Sequence, residues 1–446
     1  MAFPLRCAFF FCLISGCGAL AHAQTVSAPK ASAAGDKRTL SGTLTLRQAE
    51  QLGLANHPFI ASAALSAEAS KNVIDQARSA YYPTAAVNVT SAAANDGTVL
   101  AAGALQTSSL NTRFSSGVNI LQLVTDFGRT GSLVDAAKFR YEAATDNVLN
   151  ARAQILLAVR RAYFGVLGSE SVRRAAAATL SSRQLTLRQV SAMAQSSLRS
   201  TLDVTFAQVT VSEAELAVEQ AENNAQASRA ALAAALGVES VQNVTLEDLS
   251  DIAALNPDVD AQVETALRDR PDLQVIEHTR DAAYQVAQAE KKLSYPTVSL
   301  QAIAGAIPEH DHTIARDHYE AAGINVNIPV FNGGLFAARR SEALLRARAA
   351  DKDVDNLSLQ IRRDVRTAWY NANTAFRRLT VTSQLVEQSR RAVHLSQARY
   401  DAGLGSIVEL NQAQTSQISA EINAAGAKYD YLSRRTELEF TTGALR

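Results

Sequence analysis

Tyr82-Pro83-Thr84 recurs as Tyr295-Pro296-Thr297, and each copy lies 25 residues after another proline, Pro58 or Pro271. The same offset of 213 relates Leu54 to Leu267 and Val73 to Val286. Further along, the offset is 206. Gly117-Val118-Asn119-Ile120 matches Gly323-Ile324-Asn325-Val326, Ala162-Tyr163 matches Ala368-Trp369, Gln208 matches Gln414 and Gly237 matches Gly443. The 446-residue chain is a tandem duplication of a unit of roughly 200 residues, and a repeat constrains architecture before any local reading does. The copies differ in length by seven residues within one segment, 85–116 against 298–322.

Proline is absent from Thr84 to Asn256 and from Val330 to Arg446. A proline costs about 3 kcal/mol inside a helix, so such spans admit very long helices, expected at 131–195, 202–236, 335–402 and 406–441. About 65 residues at 1.5 Å each make a rod on the order of 100 Å. In the last of them Ile407, Asn411, Gln414, Ile418, Ile422, Ala425, Tyr429 and Leu432 recur at spacings of three and four, the seam of a coiled coil. Shorter helices are expected either side of Asn56-His57-Pro58, the second stopping before Pro83.

Four short segments between the helices alternate with period two. Val87 and Val89 alternate with Asn88 and Thr90, and Val118 and Ile120 flank Asn119. In the second copy Val298, Leu300 and Ala302 alternate with Ser299 and Gln301, and Ile324, Val326 and Ile328 with Asn325 and Asn327. One face is apolar and the other carries Asn, Gln and Ser, the pattern of strands with oil outside and water inside. Four strands cannot close a barrel, and open edges in hydrocarbon leave unpaired N–H and C=O groups costing several kcal/mol each. Strands that meet lipid in this way require several chains.

Composition narrows the class. Forty-three basic and 43 acidic residues leave a formal net charge of zero, so nucleic-acid binding has no electrostatic support. Aromatics make up 6% of the chain and alanine dominates the apolar fraction; small side chains suit helices packed closely over a great length. Arg6, the apolar stretch Cys7–Leu20 and Ala21-His22-Ala23 read as an export signal cleaved before Gln24. Ile14-Ser15-Gly16-Cys17 offers a competing lipoprotein-type site with Cys17 lipidated. All three cysteines, Cys7, Cys12 and Cys17, fall in this segment, so no disulfide is expected beyond it. The domains expected are a signal peptide (1–23), a flexible leader (24–42), a first repeat (43–238), a linker (239–253) and a second repeat (254–446).

Read together, the sequence resembles the TolC-like outer-membrane efflux proteins. The resemblance is carried by Leu44-Thr45-Leu46 with Asn56-His57-Pro58, the Tyr-Pro-Thr words, Val124-Thr125-Asp126-Phe127-Gly128-Arg129 and Val330-Phe331-Asn332-Gly333-Gly334. The most specific stretch runs from Arg399-Tyr400-Asp401-Ala402-Gly403-Leu404 to Gly405-Ser406-Ile407-Val408-Glu409-Leu410, similar to the family's periplasmic helical turn. The resemblance implies a mainly α fold with a small β part: an all-α tunnel of long antiparallel coiled coils, plus four membrane strands per chain in a homotrimeric twelve-stranded barrel. It implies location in the outer membrane, contact with its lipid, and a periplasmic adaptor (membrane fusion) protein coupling the tunnel to an inner-membrane pump of RND or ABC type. It implies conduction, as in efflux or type I secretion, with no catalysis and no cofactor.

The resemblance also implies roles for single residues. Asp203 and Tyr400 match a pair that holds the periplasmic entrance shut, and Glu409 matches an acidic position ringing the tunnel near its tightest point. A second family carboxylate three residues on is Gln412 here, and the family's basic partner at the turn is Gly405. Leu198, Arg199 and Ser200, with Gly403, Leu404, Gly405 and Ser406, form the two tips expected to meet the adaptor. Glu309, His310, Asp311, His312, Asp317 and His318 are ligand types in a loop between strands, and no metal site is assigned to them. Two other readings remain: a periplasmic coiled-coil scaffold or adaptor without a pore, and a hydrolase using the His/Asp loop.

Overall fold

The computed structural model describes residues 42–445 except 94–98, 103–104, 110–112, 198–199, 242–243, 250–251 and 310–316. The export segment with Cys17, the leader up to residue 41, and Leu198, Arg199 and His310 to His312 lie outside the described residues.

The chain opens with β1 (Gly42–Leu44), α1 (Leu46–Asn56) and α2 (Pro58–Arg78). Thr45 and Gln48 form a reciprocal capping box, each side chain accepting from the other's backbone N–H. His57 then separates the two helices, its ring accepting from Phe59 N–H while Pro58 takes the first helical position, where a missing N–H costs nothing.

Strands β2 (Thr84–Ala92), β3 (Val99–Ala102), β4 (Leu105–Ser109) and β5 (Arg113–Thr125) follow, then α3 (Arg129–Gln195) and α4 (Thr201–Leu236). Strand β6 (Val244–Leu246) opens the crossing to the second repeat, which contains α5 (Val259–Asp269), α6 (Pro271–Lys291), β7 (Thr297–Glu309), β8 (His318–Asn327), α7 (Leu335–Asp401) and α8 (Ile407–Thr441). The four long helices stand within two residues of the expected bounds, and the two longest have 67 residues each.

The main sheet has the order β2-β5-β7-β8, antiparallel throughout. Its hairpins share one register: Val87 faces Val118 in the first and Leu300 faces Ile324 in the second, which are repeat-mates. Two features escaped the sequence reading. Strands β3 and β4 extend the first hairpin's loop and account for its extra length. Strands β1 and β6 pair in parallel, so Gly42 belongs to a strand instead of the leader, and the expected linker contains a strand. Three residues are too few for a period-two signal.

The helices repeat the order of the sheet. Along one half of its length α3 packs between α2 and α6, with α7 beyond α6; along the other it packs between α4 and α8, again with α7 outermost. Alanines at the buried seam, such as Ala151, Ala153 and Ala176 on α3 and Ala207, Ala214 and Ala221 on α4, let these helices approach closely. The largest core lies where α1, β1 and β6 cross the long helices and contains Tyr163, Leu232, Leu236 and Tyr431. Tyr163 is fully buried, and its hydroxyl lies 2.9 Å from Leu44 O and 2.7 Å from Glu247 O, tying both short strands to α3. Burial pushes that phenol up to about 12. Its repeat-mate Trp369 donates Nε1–H to Asn256 O at 2.9 Å, so the duplicated position does a duplicated job. Arg160 joins Glu50 of α1 to Glu439 of α8 across the same belt.

Candidate transport channel

The sheet separates two chemistries. Register places Val87, Val89, Val118, Ile120, Leu300, Ala302, Ile324 and Val326 on one face and Asn88, Asn119, Ser299, Gln301 and Asn325 on the other. Seven of the eight apolar residues are large and at least 40% exposed, so the chain itself does not cover this face. The strand ends nearest the helices carry exposed aromatics: Tyr82 before β2, Phe127 after β5, Tyr295 before β7 and Phe331 after β8. An apolar band edged by aromatics is the pattern of a strand layer that meets lipid and its interface.

On the polar face a single row runs Asn88, Gly117, Gly305, Tyr319. The Tyr319 ring lies over both glycines. A Cβ at Gly117 would stand 2.2 Å from Tyr319 Oη, and one at Gly305 2.5 Å from its Cζ. Bare backbone at these two positions is what lets the ring lie flat on the sheet.

The switch from strand to long helix is made twice in one way. Gly128 and Gly334 precede α3 and α7 at φ 89° and 84°, a left-handed conformation that glycine adopts without a Cβ clash. In the first copy Asp126 closes the helix start, accepting from Gly128 N–H at 3.1 Å, Thr130 N–H at 2.7 Å and the Thr130 hydroxyl at 2.6 Å. Burial raises the Asp126 carboxyl, but these hydrogen bonds outweigh it and hold the group below its ordinary value.

At the far end of the long helices lie the two turns. Ser200 and Ser406 cap α4 and α8, accepting from Leu202 N–H and Glu409 N–H, each at 3.1 Å. Asp203 and Glu409 occupy the first turns of those helices, where the positive end of the dipole favours a carboxylate. Gly403 takes φ 72° in the second turn, and Leu404 beside it is 74% exposed. Tyr400 is buried with Val190, Ile407 and Leu410, against Val204, the neighbour of Asp203 in sequence. The structure thus gathers Tyr400 and the stretch around Asp203 at one end. It also shows a partner for Glu409 that sequence reasoning missed: Arg399, with Nε 3.2 Å from Oε1. The signal available was a basic residue in the last turn before the bend and an acidic one in the first turn after it.

Among the described residues no helix is long and apolar enough to cross a membrane, and no group of three or more His, Cys, Asp or Glu side chains could hold a metal.

Residues 50–238 and 263–444 each match the outer membrane efflux protein family, one match per repeat. The chain belongs to that family. Within it, the chain is 23% identical to the outer membrane protein TolC of Salmonella enteritidis, over 91% of this chain and 84% of TolC. It is 24% identical to the alkaline protease secretion protein AprF of Pseudomonas aeruginosa over 41% of this chain, a match spanning 38% of AprF. The crystal structure of the outer membrane protein VceC from Vibrio cholerae superposes with a TM-score of 0.76 at 19% identity, covering 89% of this chain and 96% of VceC. This efflux protein therefore has the fold of an outer-membrane channel, and the scaffold reading falls away.

Proposed function

We propose that this efflux protein is the outer-membrane channel-tunnel of a tripartite efflux or type I secretion system and that it works as a homotrimer. The observation that carries the reading is that sheet and helical wall are left open on the same two sides. Repeat 1 meets repeat 2 through β5 on β7, α3 on α6 and α3 on α8. The duplicated counterparts of these contacts, β8 on β2, α7 on α2 and α7 on α4, are not made among the described residues, so β8 and α7 on one side and β2, α2 and α4 on the other keep an open flank.

Exposed large apolar residues gather on those free elements. They include Phe59 and Leu65 on α2, Phe206 and Leu216 on α4, and Leu345, Leu359, Tyr370 and Leu395 on α7, whereas α6 has none. A head-to-tail contact that repeats the internal one covers these surfaces and pairs both sheet edges. Three copies of a four-stranded sheet then close a twelve-stranded barrel, with the polar faces inward and the helices continuing the bore into the periplasm.

In this reading Asp203, Tyr400 and Glu409 form the periplasmic gate. The two turns, from Leu198 to Ser200 and from Gly403 to Ser406, are where an adaptor grips, with the exposed Leu404 as an apolar anchor. The adaptor couples the tunnel to an inner-membrane pump, and the protein conducts without catalysing a reaction. Extraction from outer membranes in detergent, followed by light scattering and planar-bilayer recording, tests this. The expected result is a particle of three chains with single-channel steps; a rod that sizes as one chain in the absence of detergent would sink the reading.

A further inference from the structure

We propose that Arg399 sets the ion preference of the narrow end by neutralising Glu409 within its own hairpin. The inference rests on the tunnel reading above, in which Glu409 faces the bore. Arg399 ends α7 and Glu409 begins α8, with the turn between them. Besides the 3.2 Å contact to Glu409, the guanidinium donates to Leu404 O at 3.3 Å. The backbone of the turn returns the favour, Leu404 and Gly405 N–H donating to Arg399 O at 2.8 and 3.0 Å.

Gly405 makes room for this arrangement. A Cβ there would stand 3.2 Å from Arg399 Cβ and 3.3 Å from Tyr400 N, so a side chain at 405 would crowd the stem of Arg399. The turn thus keeps position 405 bare and supplies its cation from position 399. Asp401, the other carboxylate at this bend, accepts from Gln397 Nε2 at 2.9 Å.

The paired side chains are 57% and 44% exposed. At that exposure the pair adds little to stability, and its consequence lies in the field it leaves. A bare ring of three carboxylates selects cations. Three carboxylates each held against a guanidinium present almost no net charge to a passing ion.

Reversal potentials across planar bilayers, at about 0.1 M salt where the Debye length is about 10 Å, test the pair. The wild-type channel should discriminate weakly between cations and anions. Arg399→Gln should raise cation over anion permeability roughly twofold or more. Glu409→Gln should carry the channel past neutrality to anion preference, because three guanidinium groups are left unpaired, and the double variant should return near wild type. Arg399→Lys keeps the charge but not the fork geometry, and a wild-type reading there shows that charge is what counts.

An Arg399→Gln channel that reads as wild type while Glu409→Gln shifts overturns the role of Arg399. If neither variant shifts in a conducting channel, Glu409 does not face the bore and the inference fails with it. A wild-type trimer that inserts without conducting removes the tunnel reading itself.

Discussion

Asp126 closes the start of α3 with three hydrogen bonds, whereas its repeat-mate Asn332 precedes α7 with a different side-chain chemistry. Asp126→Ala should cost about 0.5–2 kcal/mol, the usual loss of a helix cap, and Asp126→Asn less. Because the folded carboxyl is held below its ordinary value, its contribution is present above the unfolded carboxylate range. It is lost as pH falls through the folded value. Melting of wild type and Asp126→Asn in detergent should therefore differ at neutral pH and converge below about pH 4; a gap that does not depend on pH would show that the charge contributes nothing. In the sequence Val124-Thr125-Asp126-Phe127-Gly128-Arg129 carried only the family resemblance; the cap was not read there, since its acceptors are shared among three donors that only the folded turn brings together.

At the scale of elements, the strands were legible from alternation, while the row Asn88, Gly117, Gly305, Tyr319 was not. It joins residues more than 200 positions apart through four strands, and only register reveals it. The row makes a graded prediction. At Gly117 the nearest obstacle is the end of the Tyr319 side chain, 2.2 Å away, with Ala304 O at 2.9 Å; at Gly305 it is the backbone oxygen of Ser116 at 2.4 Å. A side chain can rotate, whereas a paired strand cannot move without breaking its ladder. Gly117→Ala and Gly305→Ala should each destabilise by about 1–3 kcal/mol through overpacking. Adding Tyr319→Ala should recover more of the loss for Gly117→Ala than for Gly305→Ala. Equal recovery in thermal melts would mean that the ring, not the neighbouring strand, limits both sites.

At the scale of the whole molecule, duplication predicts the register of an interface. Inside the chain β5 meets β7 with Ile120 opposite Ala302. The repeat-mate of Ile120 is Val326 on β8, and that of Ala302 is Val89 on β2. A ring of copies built on the internal contact therefore sets Val326 of one protomer opposite Val89 of the next. Oxidising Val326→Cys/Val89→Cys in outer membranes should give a crosslink ladder that stops at three chains, with neither single variant linking. Efficient linking of Val326→Cys to a cysteine two positions away on β2 would instead show that the inter-protomer register departs from the internal one.

The sequence by itself determined the duplication, the four long helices, the four main strands and the two faces of the sheet. These follow from local rules that act over a few residues: proline exclusion, a period of three to four for helices and a period of two for strands. The tertiary structure decided what depends on distant partners. The three-residue strands β1 and β6 pair across about 200 positions, and Tyr163, more than 80 residues from either, meets the carbonyls of Leu44 in β1 and of Glu247 just after β6. The Tyr319 row exists because β5 pairs with β7 in one register across the two hairpins, and Arg399 meets Glu409 across a turn that is bare at Gly405. Residues far apart in the chain, or turned toward each other by one backbone conformation, leave no periodic trace in the sequence.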